Sequence, residues 1–283
     1  MNTLYISDLD GTLLDKNAEI SEFTLKALNA LIKEGMKFTV ATARSAATVN
    51  NILKDVTLPL PIILMNGVLV YDFALRRYLN IEYLTKDSLL FIQGILKELH
   101  LTGFMYEIID HKQMTYYEEL SNSAQKAFYE ERVRKYHKEF KQVSDFSLVD
   151  PEHIIYFSIL DTREHLDGAC EKLKNRSDIA YAYYKDVYSK EDMWYLEIFS
   201  RKATKYNAVR YLREHYHFDQ VVGFGDNLND LPLFRACEVT CAVSNAREEL
   251  KLAADHIIDS NINDGVVKWL ISNYPEQKPC HIP

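Results

Sequence analysis

No apolar run in this chain reaches the ~18 residues that a membrane-spanning helix needs, so no such helix is expected in it. A basic excess is also missing: 33 Lys and Arg face 41 Asp and Glu, for a net charge of -8. This argues against a general nucleic-acid binder, because there is no basic excess to neutralise phosphates. A small phosphorylated ligand is not excluded, since a few local cations suffice to hold one. Cysteine is scarce, at Cys170, Cys237, Cys241 and Cys280, with neither a paired Cys-x-x-Cys pattern nor a dense framework. A disulfide scaffold and a cysteine-rich zinc site are therefore not expected. The first residues lack a basic stretch followed by an apolar core and a cleavage site, so no secretory signal is expected. Free thiols in a reducing cytoplasm follow as the expectation, with the protein a monomer or a weak homo-oligomer. Repeats and low-complexity tracts are absent from the sequence.

What is present is an ordinary globular composition, 47% hydrophobic and 26% charged, over 283 residues. That length supports more than one domain. The first ~80 residues alternate strand and helix. "TLYISD", "MKFTVAT" and "PIILMNG" read as strands, "ISEFTLKALNALIKEG" and "SAATVNNILKDV" as helices, and "VLVYD" with "RRYLNIEYL" as a hairpin. This pattern predicts an α/β fold with a parallel, Rossmann-like sheet. Ligands of such sheets sit at the carboxyl ends of the strands, where Asp8, Thr42 and Asn66 fall.

From about Lys86 the pattern changes. Helices are predicted over Ser88–Leu99, Ser121–Phe140 and Arg163–Lys174, and strands over Gly103–Ile109, Met114–Glu118, Ile154–Leu160 and Ala180–Val187. The alternation resumes with "MWYLEIF", "ATKYNAVRYLREHY", "QVVGFGD", "NDLPLFRAC", "EVTCAVS" and "AREELKLAA". The predicted organisation is a core over 1–83 and 190–283 split by an inserted α+β domain over 84–189, with linkers near Tyr83–Asp87 and Asp186–Asp192.

The chemistry concentrates in four places. "DLDG" puts Asp8 and Asp10 at a strand end with Gly11 turning the chain. Two carboxylates so close need a cation, a shared proton or water. Asp8 can attack phosphorus, Asp10 can hold a proton, and Mg2+ would relieve the repulsion; a helix cap with a turn aspartate is the structural alternative. "GFGDNLND" ends a second strand on Asp226, followed by Asn229 and Asp230, which together with the first pair makes an oxygen site for a hard cation. "TVATAR" offers the Thr42 hydroxyl and the backbone N–H groups of Thr42 and Ala43 to an anion, or else a simple cap. Lys205 opens a helix, where a cation gains from a nearby anion; Lys202 competes for that role.

In order, "DLDGTLLD" (8–15), "TVATAR" (39–44), "TKYNAV" (204–209) and "GDNLND" (225–230) resemble the four motifs of the haloacid dehalogenase-like superfamily. "MNGVLVYD" (65–72) and "VSNAREELKLAAD" (243–255) look like its Cof-type hydrolase branch with a large α/β cap. The resemblance implies a magnesium-dependent phosphatase that acts through an aspartyl phosphate on a small phosphorylated metabolite. Sugar phosphates are the leading substrate class, with nucleotides and pyridoxal phosphate as others. It implies Asp8 as nucleophile and Asp10 as general acid and base. Thr42, Ala43, Lys205 and Asn229 would hold phosphate. Asp8, Asp226 and the Asp10 carbonyl would hold the metal, with Gly11, Arg44, Asn66 and Asp230 in support. A mobile cap would exclude water in the first step and admit it in the second. Two positions depart from the family pattern, which commonly has glycine where this chain has Ala43 and Tyr206. A phosphomutase of the same superfamily and a non-catalytic phosphate-binding module are the rival readings.

Overall fold

A computed structural model describes residues 2–186 and 192–274 of the chain. They form two compact units, Met1–Asn80 with Thr204–Pro283, and Ile81–Ala203. The tail "PEQKPCHIP" with Cys280, and most of the linker expected at Asp186–Asp192, lie outside the described residues.

The first unit opens with β1 (Thr3–Ser7), all five residues buried, as expected of a central parallel strand. Helix α1 (Glu22–Lys33) starts at Ser21, whose hydroxyl accepts from Thr24 N at 3.0 Å, and buries Leu28 and Leu31. Next come β2 (Lys37–Val40), α2 (Ala46–Ile52) and β3 (Ile62–Leu64), then β4 (Leu69–Asp72) and β5 (Arg77–Ile81). β3, β4 and β5 make a small three-stranded sheet, joined to the end of β2 by a single parallel bridge from Ala41 to Ile63.

In the inserted unit, α3 (Lys86–Glu98) is capped by Thr85 and leads into the hairpin β6 (Phe104–Ile109) and β7 (Lys112–Tyr117). Helix α4 (Ser123–Tyr136) docks through both aromatic and polar contacts: Phe128 stacks on Phe104 with ring centroids 4.8 Å apart, Tyr129 packs on Tyr117, and the buried Gln125 donates to the carbonyls of Thr102 and Leu160, both at 3.1 Å. It stops at His137, which takes a left-handed φ of 50°. The expected Ser121–Phe140 helix is therefore too long, and its last residue instead opens β8 (Phe140–Gln142), which pairs with β7. β9 (Ile154–Thr162), α5 (Arg163–Leu173), β10 (Ile179–Lys185) and β11 (Met193–Ser200) complete a six-stranded sheet of order β10-β11-β9-β6-β7-β8. Strand β11, read from the sequence as the return to the core, pairs antiparallel with β10 and β9 instead. Its Leu196 and Ile198 join the core of this unit with Ile92, Phe157 and Leu166. The segment Tyr83–Asp87, expected as a linker, is tied inside this unit by Leu84 N to Ile154 O at 2.8 Å. Eleven of the 19 tyrosines lie between 101 and 195. Many pack on one another, as Tyr106 on Tyr156 and Tyr184 on Tyr195, which is ordinary strand and core use.

The chain returns to the first unit with α6 (Lys205–Tyr216), β12 (Gln220–Gly225), the one-turn α7 (Leu231–Phe234), β13 (Val239–Val243), α8 (Glu248–Lys251), β14 (His256–Ile258) and α9 (Gly265–Asn273). The main sheet is wholly parallel, in the order β14-β13-β12-β1-β2. β1 and β12 are neighbours in register, Ser7 beside Phe224, so the residues that follow each strand emerge side by side.

Candidate active site

Asp8 follows β1 and Asp226 follows β12, and Asp8 N donates to Phe224 O at 2.9 Å. The parallel register thus delivers two carboxylates to one rim. Asp230 arrives through the turn after β12. Its Oδ2 accepts from the backbone N–H groups of Asp226 and Asn227, at 3.0 and 3.1 Å. Carboxylate oxygens of Asp8, Asp226 and Asp230 lie within 4.8 Å of one another.

Lys205 stands at the first position of α6 behind its cap Thr204. Its Nζ donates to Asp8 Oδ1 and Asp230 Oδ1, both at 2.6 Å, and the ammonium is 1% exposed. Lys202, the competing candidate, is exposed on the loop before it, so the fold brings Lys205 to the carboxylates. Burial works against the Lys205 ammonium, but Asp230 and Asp8 outweigh it and hold its pKa above the ordinary lysine range. Burial pushes Asp8 well above the usual carboxylate range; Lys205 opposes this, while Asp230 and Asp226 add to it. Asp226 is lifted to about 6, first by burial and then by Asp230, against a hydrogen bond from Thr12 Oγ1 at 2.9 Å. Thr12 was given no role on sequence grounds, although it stands inside the first motif.

Three carboxylates against one ammonium leave two negative charges uncompensated in a buried cluster. Both Asp230 oxygens are already engaged, by Lys205 and by two backbone N–H groups. Asp8 and Asp226 are then the side chains that can turn to a cation, and an all-oxygen set suits Mg2+. The residues fit the metal that the sequence implies. Proton and metal compete here. Between the ordinary value of 3.8 and about 6, the folded metal-free protein holds a proton on Asp226 that an open chain has lost. The contribution of Asp226 to stability therefore falls as pH rises through that window. Added Mg2+ is expected to raise the melting temperature more at pH 8 than at pH 5 in a thermal-shift titration; an equal rise at both would contradict this.

Gly11 adopts φ +76°, and a Cβ there would lie 2.5 Å from Asp226 Oδ2. Gly11→Ala adds a left-handed penalty of about 1–2 kcal/mol and pushes Asp226 aside. Isothermal titration is expected to show weaker Mg2+ binding; unchanged affinity would contradict the placement.

The remaining expected residues divide. Arg44 grips Asp10 with a fork, Nε to Oδ2 at 2.7 Å and Nη2 to Oδ1 at 2.6 Å. The Asp10 side chain is thus spent on Arg44, and only its backbone carbonyl is left as a possible metal ligand. Thr42 is fully buried, but its N–H donates to Ile63 O at 2.9 Å, so that group is not available to an anion as expected. A parallel strand continuation has claimed it. The Thr42 hydroxyl accepts from Arg44 N at 3.1 Å and keeps its own proton to donate. Ala43 is exposed beside it. Asn229 is exposed and donates through Nδ2 to Asn66 Oδ1 at 3.2 Å. Asn245, unmarked in the sequence, donates to the Gly11 carbonyl at 2.8 Å and steadies that turn.

The first unit thus joins a parallel sheet, acids at two adjacent strand ends and a buried lysine between them. In comparison with known proteins, the family pattern of haloacid dehalogenase-like hydrolases matches residues 5–270. The chain belongs to this family and is an enzyme of the hydrolase class. A Mycoplasma genitalium protein named "Putative phosphatase MG265" is 26% identical over 95% of this chain and 97% of its own. The crystal structure of TM0651 from Thermotoga maritima, 27% identical, covers 96% of this chain and 97% of its own with a TM-score of 0.76. The structure of the sugar phosphatase BT4131, 19% identical, shares the fold over 96% of this chain and 98% of its own, with a TM-score of 0.72.

Proposed function

We propose that this protein is a magnesium-dependent phosphatase that hydrolyses a small phosphomonoester through an aspartyl phosphate on Asp8. One observation carries the reading: the buried Asp8 carboxylate at a strand end, held by Lys205 and facing Asp226. Asp8 attacks the phosphorus as the ester oxygen leaves, and Asp10 gives that oxygen its proton. Asp10 then takes a proton from a water that cleaves the acyl phosphate, returning Asp8 as a carboxylate. Lys205 and the Thr42 hydroxyl offset charge on the transferring group, which is most of what phosphoryl transfer asks of a protein. Held by Asp8, Asp226 and the Asp10 carbonyl, Mg2+ would supply further charge neutralisation there.

Asp10 forked by Arg44 is not free to carry a proton, so turnover requires that pair to open. The two side chains are 48% and 24% exposed; an exposed ion pair is worth about 1 kcal/mol, and a bidentate one somewhat more. Opening it is cheap on the scale of a catalytic barrier.

Sugar phosphates are the leading substrate class, supported by the shared fold with a sugar phosphatase. Free thiols at Cys170, Cys237 and Cys241 support a reducing cytoplasm as the setting. The test is a Mg2+-dependent assay with an aryl phosphate, followed by a screen of sugar phosphates, nucleotides and cofactors ranked by kcat/KM. Free phosphate is the expected product. An isomerised sugar phosphate would mark a mutase, and phosphate binding without release a non-catalytic module.

A further inference from the structure

The turn Met65–Gly67 holds three consecutive residues at positive φ: Met65 at 50°, Asn66 at 55° and Gly67 at 104°. Such conformations are costly outside glycine and persist where the surroundings over-determine them. Here the surroundings are three separate pieces of the candidate site. Met65 N donates to Arg44 O at 3.1 Å, and Asn66 N donates to Thr42 O at 3.0 Å, so the turn fixes the Thr42–Arg44 loop through its backbone. Gly67 presses on the start of α6: a Cβ there would lie 2.3 Å from the Thr204 carbonyl and 2.9 Å from Lys205 N. Finally, the Asn66 side chain accepts from Asn229 Nδ2 at 3.2 Å, reaching across 163 positions to the turn after β12.

A carboxamide can present either its oxygen or its nitrogen to a ligand, and only a second partner decides which. Asn229 is exposed and is carried by the same short turn as Asp230. Asn66 Oδ1 accepts one of the two N–H groups of Asn229, which holds that amide with its nitrogen towards Asn66 and leaves the second N–H to donate. A donor suits a phosphoryl oxygen, whereas a carbonyl oxygen would repel it. We infer that Asn66 is a positioning residue that orients the Asn229 amide to donate to the phosphoryl group of the substrate. This rests on the phosphatase reading above.

The test uses Asn66→Gly, Asn229→Ala and the double variant, because glycine accepts φ 55° and so keeps the turn while deleting the side chain. Inorganic phosphate binding is measured by calorimetry in Mg2+, alongside KM and kcat on an aryl phosphate. Each single variant should weaken phosphate binding and raise KM about tenfold, the scale of one lost hydrogen bond to an anion. The melting temperature should hold. The double variant should bind phosphate no worse than Asn229→Ala, since Asn66 acts through Asn229. A lowered melting temperature with unchanged phosphate affinity would overturn the inference and leave the turn a structural brace. Multiplying losses in the double variant would also overturn it. If the wild type binds phosphate but turns over no ester, the phosphatase reading fails alone, and the phosphate titrations still decide the role of Asn66.

Discussion

Asp8→Asn is expected to abolish turnover while leaving the protein folded. The amide cannot attack phosphorus, so activity should fall on the order of 10⁶-fold, the scale for losing a covalent nucleophile. The fold should tolerate the change, because Lys205 keeps Asp230 as its partner at 2.6 Å. The cluster also loses one of the negative charges that burial penalises. Steady-state assay and thermal melting check both halves. A retained rate would remove Asp8 from the chemistry, and an unfolded variant would show that Asp8 holds the site together.

Lys205→Met should damage both stability and activity. The methionine fills a similar volume but leaves Asp8 and Asp230, 5% and 0% exposed, without their shared cation. Removing one partner from a buried ionic group costs about 3–5 kcal/mol, and losing a charge-stabilising donor costs roughly 10²–10³-fold in rate. The stability loss should shrink as pH falls, because protonating the stranded Asp8, whose pKa burial raises, removes an unpaired charge. Urea melts at pH 5 and pH 8 test this. A loss of equal size at both would mean that the buried carboxylates are not the cause.

The parallel core was legible because its strands are short, apolar and separated by helices of the right period, and because two of them end on aspartate. Asp8, Asp226 and Lys205 could be placed from that pattern and from the four motifs. What could not be read depends on partners far along the chain. Nothing in "MWYLEIFS" distinguishes a core strand from a hairpin strand; only its pairing with β9 and β10 does. The fork between Arg44 and Asp10 spans 34 positions and follows from how the loops after β1 and β2 meet. Thr42 was expected to offer its N–H to an anion, yet that N–H goes to Ile63, because the small sheet extends the main one at that point. Docking of α4 through one buried polar residue, Gln125, and the Phe128 stack on Phe104 likewise leaves only a weak periodic signature to read.

The central claim is that the substrate's phosphoryl group passes through the Asp8 carboxylate. The most direct measurement is to quench the enzyme during turnover with an aryl phosphate, reduce it with borohydride, and sequence the peptide around residue 8 by mass spectrometry. An acyl phosphate is reduced to an alcohol under these conditions, whereas a free carboxylate is not. The account predicts a reduced side chain at Asp8, dependent on substrate and on Mg2+, and none at Asp10 or Asp226. Turnover with Asp8 unmodified, or with the reduced side chain at another acid, would contradict it.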